Sequence, residues 1–84
     1  MPVTTFTQIR KQLGHRIKAL REAEALSQER FAEQLEISRT YLAYIETGTR
    51  APSLQLLHKI ATLLHISIQD LFRWYPSFVQ SFAS

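Results

Sequence analysis

Ser38, Arg39, Thr40, Ala43, Tyr44 and Thr47 carry the most telling chemistry in this chain. On an α-helix these positions share the outward side, because residues three and four apart lie above one another. Leu42 and Ile45 fall on the other side, together with Ile37 of the preceding turn, and would bury it. The outward set holds a guanidinium, hydroxyls, a phenol and a methyl group. Such groups suit the reading of base edges rather than the making and breaking of bonds. An α-helix fits the major groove of duplex DNA, and its N-terminal side chains reach base edges. Arg39 is the strongest candidate, since Arg binds guanine O6 and N7 in a bidentate fashion. It stands near a helix start, where its charge opposes the dipole and an anionic partner would relieve the opposition. Thr40 offers a hydroxyl to a base or a methyl to thymine. Tyr44, about one turn further on, can meet a base or a phosphate. Ser38, Arg39, Thr40, Ala43 and Tyr44 form the candidate base-contact set. Tyr41, Thr47, Thr49 and Arg50 are candidate phosphate contacts; the plainer reading of each is a solvated surface residue.

Other chemistry has little to stand on. His58 and His65 are seven apart and His15 is remote, so no metal-binding pair at helical spacing exists. The chain has no cysteine, which excludes a disulfide framework and a thiolate zinc site. There is no glycine-rich phosphate loop and no nucleophile elbow. Glu29 and Glu33 are i,i+4 neighbours and read as a solvated face rather than a catalytic pair. No enzyme activity, metal or cofactor is expected.

The 84 residues make one small domain. Its 45% apolar, 11% aromatic and 20% charged residues suit a globular chain. The net charge of +3 is compatible with a polyanionic partner. No apolar run approaches the ~20 residues that span a bilayer. The first residues lack a basic stretch followed by an apolar one, so neither a secretory signal nor a membrane partner is expected. Absence of cysteine fits a reducing compartment, and the cytoplasm is the expected location. Charge is uneven: Arg10, Lys11, Arg16, Lys18 and Arg21 precede a run of acids, and the residues from Tyr75 onward are uncharged.

The periodicity predicts helices throughout. Thr5 and Gln8 fit a capping box ahead of a helix from Phe6 to about Glu24, with Ile9, Leu13, Ile17 and Leu20 on its stripe. Gly14 interrupts that pattern at a cost of up to ~1 kcal/mol relative to Ala. Ser27 caps a second helix with Phe31, Ala32 and Leu35 inside. Ser38 caps a third, ended by Gly48. Pro52-Ser53 opens a fourth, with Leu54, Leu57, Ile60, Ala61 and Leu64 inside, and Ser67 caps a fifth holding Leu71 and Phe72. The fold class is an all-α, five-helix domain.

Several of these positions together resemble the phage-repressor (Xre-like) helix-turn-helix family. The matching residues are Leu26-Ser27-Gln28-Glu29 and Ala32, then Ile37-Ser38-Arg39-Thr40-Tyr41-Leu42, Ile45-Glu46-Thr47-Gly48 and Pro52-Ser53-Leu54. Leu13-Gly14-His15-Arg16-Ile17 and Leu64-His65-Ile66-Ser67 are similar to that family too, so the resemblance covers roughly residues 9–72. Ala32 must be small where the second and third helices cross closely. The resemblance implies a repressor-like DNA-binding domain over 6–73. It also implies a phosphate contact by Gln28, with a lesser one by the cap Ser27, and an ion pair between Arg21 and Glu46 tying the reading helix to the scaffold. One departure stands at the turn, where Glu36 replaces the family's frequent glycine. A left-handed backbone there would cost Glu of the order of 1 kcal/mol.

The segment 74–84 is an aromatic tail that should bury against something. Leu71, Phe72, Trp74, Tyr75, Phe78 and Phe82 are the candidate dimer interface, because large aromatics are enriched in interface cores. The expectation is a homodimeric transcription regulator, a repressor that reads a two-fold symmetric operator in double-stranded DNA. Two alternatives share the fold: an antitoxin whose tail binds a toxin, and the controller protein of a restriction-modification system.

Overall fold

The computed structural model describes residues 5–73. Five helices follow one another in it: α1 (Phe6–Ala23), α2 (Gln28–Leu35), α3 (Arg39–Thr47), α4 (Leu54–Leu63) and α5 (Ile68–Leu71). No strand occurs among the described residues. Each helix starts on a hydroxyl that accepts a backbone N–H three residues on: Thr5, Ser27, Ser38, Ser53 and Ser67. At Thr5 the capping box is complete, with Gln8 Oε1 accepting the Thr5 N–H at 2.8 Å. Each such cap satisfies a donor that the helix itself leaves unpaired and contributes ~1 kcal/mol.

The helix stripes meet in one core of Leu13, Ile17, Phe31, Leu35, Leu42, Ile45, Leu57, Ile60 and Leu71, with Ala32, Leu56, Ala61 and Leu64 filling it. α1 lies against α3 and α5, α2 against α3 and α4, and α4 against α5. Two expectations change here. Leu54 is 72% exposed rather than inside. It is the first residue of α4, ahead of the turn that reaches the core, and Leu56 is buried in its stead. Leu71, expected in a dimer interface, is fully buried in the domain's own core and has no surface to offer a partner. Phe72 is the half-buried C-cap of α5, packed against that core. The other interface candidates, Trp74, Tyr75, Phe78 and Phe82, lie outside the described residues.

Gly14 is explained by close approach. A Cβ placed there would run into the Ile45 carbonyl oxygen and stand 2.7 Å from that of Glu46. α1 therefore presses its backbone directly onto the last turn of α3, and the ~1 kcal/mol helix cost is the condition of that contact.

Cations close the helix ends. Arg10 Nε donates to Gly48 O at 3.0 Å, beyond α3. Arg16 donates through Nε and Nη2 to Asp70 O, at 3.2 and 3.1 Å, in α5. Lys59 Nζ donates to Leu35 O, the last residue of α2, at 3.0 Å. Such bonds satisfy terminal carbonyls and complement the helix dipole. Arg10 and Arg16, which the sequence places in a basic front, thus tie α1 to backbone carbonyls elsewhere in the fold.

At the turn after α2, Glu36 is left-handed, with φ 61°. Its carboxylate meets Lys59 Nζ at 3.3 Å, in an exposed pair worth ~0–1 kcal/mol. Glycine has no Cβ penalty in this backbone region, ~1–2 kcal/mol for an L-residue. Glu36→Gly is therefore expected to raise stability only slightly, by about 0.3 kcal/mol in urea denaturation, after the lost pair and the freer unfolded chain are counted. A lower midpoint would mean that the Lys59 pair outweighs the backbone strain.

Candidate nucleic-acid interface

α2, the left-handed turn at Glu36 and α3 form two short helices with a tight connection, and α3 presents one open face. Arg39, Thr40, Tyr44 and Thr47 are exposed and Ala43 is half-exposed, while Leu42, Ile45 and Glu46 are buried. Arg39 is the first residue of α3, and neither it nor Thr40 has a hydrogen-bond or ion-pair partner among the described residues. A free guanidinium at a helix N-terminus is unfavourably placed until an anion or a base edge arrives. The Ser38 hydroxyl accepts the Tyr41 N–H at 3.0 Å, which leaves its own proton to donate outward. Ser27 is arranged in the same way, accepting the Arg30 N–H at 3.1 Å.

Tyr41 stands apart from this face. In helical register it lies on the flank between the open and buried sides. It is half-buried there, lining an open groove of about 300 Å³ with Ile37, Leu56 and Lys59. Thr47 and Thr49 share a hydroxyl contact of 2.9 Å, and Thr47 Oγ1 also donates to Tyr44 O at 3.2 Å. The Arg50 guanidinium lies over the Tyr44 ring, 5.8 Å from its centroid.

Beneath the face, Arg21 and Glu46 are each 6% exposed. Arg21 Nε donates to Glu46 Oε2 at 2.7 Å and Nη2 to Oε1 at 3.1 Å, a bidentate pair. Arg21 Nη1 also donates to Leu26 O at 2.6 Å, which ties the loop before α2 into the same cluster. Gln28 completes it: Nε2 donates to Glu46 Oε1 at 3.0 Å. Nothing in the sequence spacing signals this last bond. It holds the half-buried Gln28 amide in a fixed orientation at the first residue of α2 and leaves its second N–H to reach outward. The described residues contain no group of three His, Cys, Asp or Glu side chains that could hold a metal ion.

Residues 17–71 match the model of the helix-turn-helix family HTH_3. The chain belongs to this family. The control protein C.MunI of Mycoplasma sp is 43% identical over 68 residues, 80% of this chain and 92% of that protein. The crystal structure of the restriction-modification controller protein C.AhdI from Aeromonas hydrophila superposes with a TM-score of 0.69 at 38% identity, covering 73% of this chain and 92% of that one. SinR, a master regulator for biofilm formation crystallised in complex with DNA, superposes with a TM-score of 0.67 at 33% identity, covering 71% of this chain and 97% of that one.

Proposed function

We propose that this helix-turn-helix protein is a sequence-specific, double-stranded DNA-binding transcription regulator, a repressor working in the cytoplasm as a homodimer. The observation that carries the reading is the open face of α3, where Arg39 and Thr40, without side-chain partners among the described residues, stand at the helix N-terminus over a buried ion pair that fixes the helix. α3 enters the major groove. Arg39 and Thr40 meet base edges, with Ser38, Ala43 and Tyr44 beside them. Gln28, Ser27 and Arg50 face the phosphates, and the N-terminus of α2 adds its own N–H groups there. Thr47 and Thr49 join them by turning their hydroxyl protons away from Tyr44 O and from each other. Two copies related by a two-fold axis would set their α3 helices about 34 Å apart, one turn of duplex. The protein's effect on transcription then follows from where it sits, and no cofactor or reaction is required.

A second reading narrows the first: control of a restriction-modification system. It is favoured by the likeness to C.MunI and C.AhdI along nearly the whole length of each.

The test of the main reading is a binding titration on duplex DNA across salt concentrations. Each neutralised phosphate contributes a log–log slope of about −0.9, so affinity should fall steeply between low and moderate salt. Binding that does not weaken over that range removes the phosphate contacts and the reading with them.

A further inference from the structure

Tyr44 brings more than its ring to the outer side of α3. Its carbonyl oxygen accepts the backbone N–H of Thr49 at 2.8 Å and of Arg50 at 3.2 Å, besides the Thr47 hydroxyl at 3.2 Å. Gly48, left-handed at φ 80°, lets the chain turn back so sharply. The loop after α3 is thereby folded onto the last turn of the helix, and the Arg50 guanidinium comes to rest over the Tyr44 ring. Arg50 is exposed and has no carboxylate partner among the described residues. An exposed arginine on a loop would otherwise sample many rotamers and lose that freedom on binding. A ring beneath the guanidinium restrains it through the quadrupole and leaves the planar N–H edge open.

We propose that Tyr44 is a positioning residue for Arg50, presetting its guanidinium as a phosphate-binding group at the C-terminal border of the reading face. This rests on the DNA-binding reading above and adds a role for a residue otherwise counted as a base contact. The phenol hydroxyl is not needed for the stacking; the ring is.

The experiment is the salt dependence of binding to an arbitrary duplex for the parent, Tyr44→Phe, Tyr44→Ala, Arg50→Ala and the double variant Tyr44→Ala/Arg50→Ala. Tyr44→Phe should keep the parent's log–log slope. Arg50→Ala should reduce its magnitude by about 0.9, the loss of one phosphate contact. Tyr44→Ala keeps the cation and should keep the slope while weakening binding about two- to five-fold at every salt concentration, a loss that Tyr44→Phe should not show, and the double variant should bind no more weakly than Arg50→Ala. Parent affinity retained in Tyr44→Ala, or a double variant weaker than Arg50→Ala by the full Tyr44→Ala factor, overturns the positioning role while leaving DNA binding intact. A parent slope near zero instead removes the DNA-binding reading on which the proposal rests.

Discussion

Glu46→Gln should melt far below the parent protein. Glu46 accepts two bonds from Arg21 and one from Gln28, in a place nearly closed to water. The substitution keeps the shape but leaves the Arg21 cation without its counter-charge. Breaking one side of a buried pair costs ~3–5 kcal/mol. Arg21 retains the Leu26 carbonyl, and Glu22 stands 4.0 Å away, so the lower end of that range applies. For a domain of this size each kcal/mol moves Tm by about 4–8 °C, so a cost of ~3 kcal/mol predicts a drop of roughly 12–24 °C. Calorimetry checks it. A melting curve overlaying the parent's would mean that water already screens the pair. The same variant should also weaken DNA binding, because Gln28 loses the carboxylate that orients its amide.

Arg39→Ala should leave the fold alone and damage recognition. The side chain is exposed and unpaired among the described residues, and removing its charge from the start of α3 relieves an unfavourable dipole interaction. On the cognate site the loss should be about 1–3 kcal/mol, with relaxed preference at one base position in each half-site. Gln28→Ala should weaken all sequences by similar factors, since a phosphate contact carries no base information. Titrations against a set of single-base operator variants separate the two. If Arg39→Ala lowered binding to every duplex equally, Arg39 would be a phosphate contact and the base reading would fall to other side chains.

What the sequence made legible is what is settled locally. A Ser or Thr at a helix start is recognised by its backbone neighbour three residues on, so Thr5, Ser27, Ser38, Ser53 and Ser67 could be read without the fold. Gly48 at the end of α3 and the 3.6-residue stripe of each longer helix were legible for the same reason. The open face of α3 followed from period alone. Contacts between distant residues were not legible from spacing, and the Arg21–Glu46 pair came from the family resemblance alone. Gly14 looks like a flaw in α1 until the α3 carbonyls are placed against it. Arg10 and Arg16 read as a basic surface, yet their acceptors lie 38 and 54 residues away. Gln28 resembles a free phosphate ligand, whereas half its amide is held by a carboxylate on the neighbouring helix. Leu71 shows the limit of hydrophobicity as a signal. An apolar residue must bury, but its type does not tell whether the cover is its own core or a second copy, and here it is its own core.

Selection of bound duplexes from a random pool shows whether α3 reads base sequence. Enrichment of a short site with two-fold symmetry is expected, its half-site centres about 34 Å apart along the duplex. One strongly preferred guanine in each half-site should lose its preference when the selection is repeated with Arg39→Ala. A bound pool whose sequences match the input would leave α3 with no base to read and overturn its role as a reading helix.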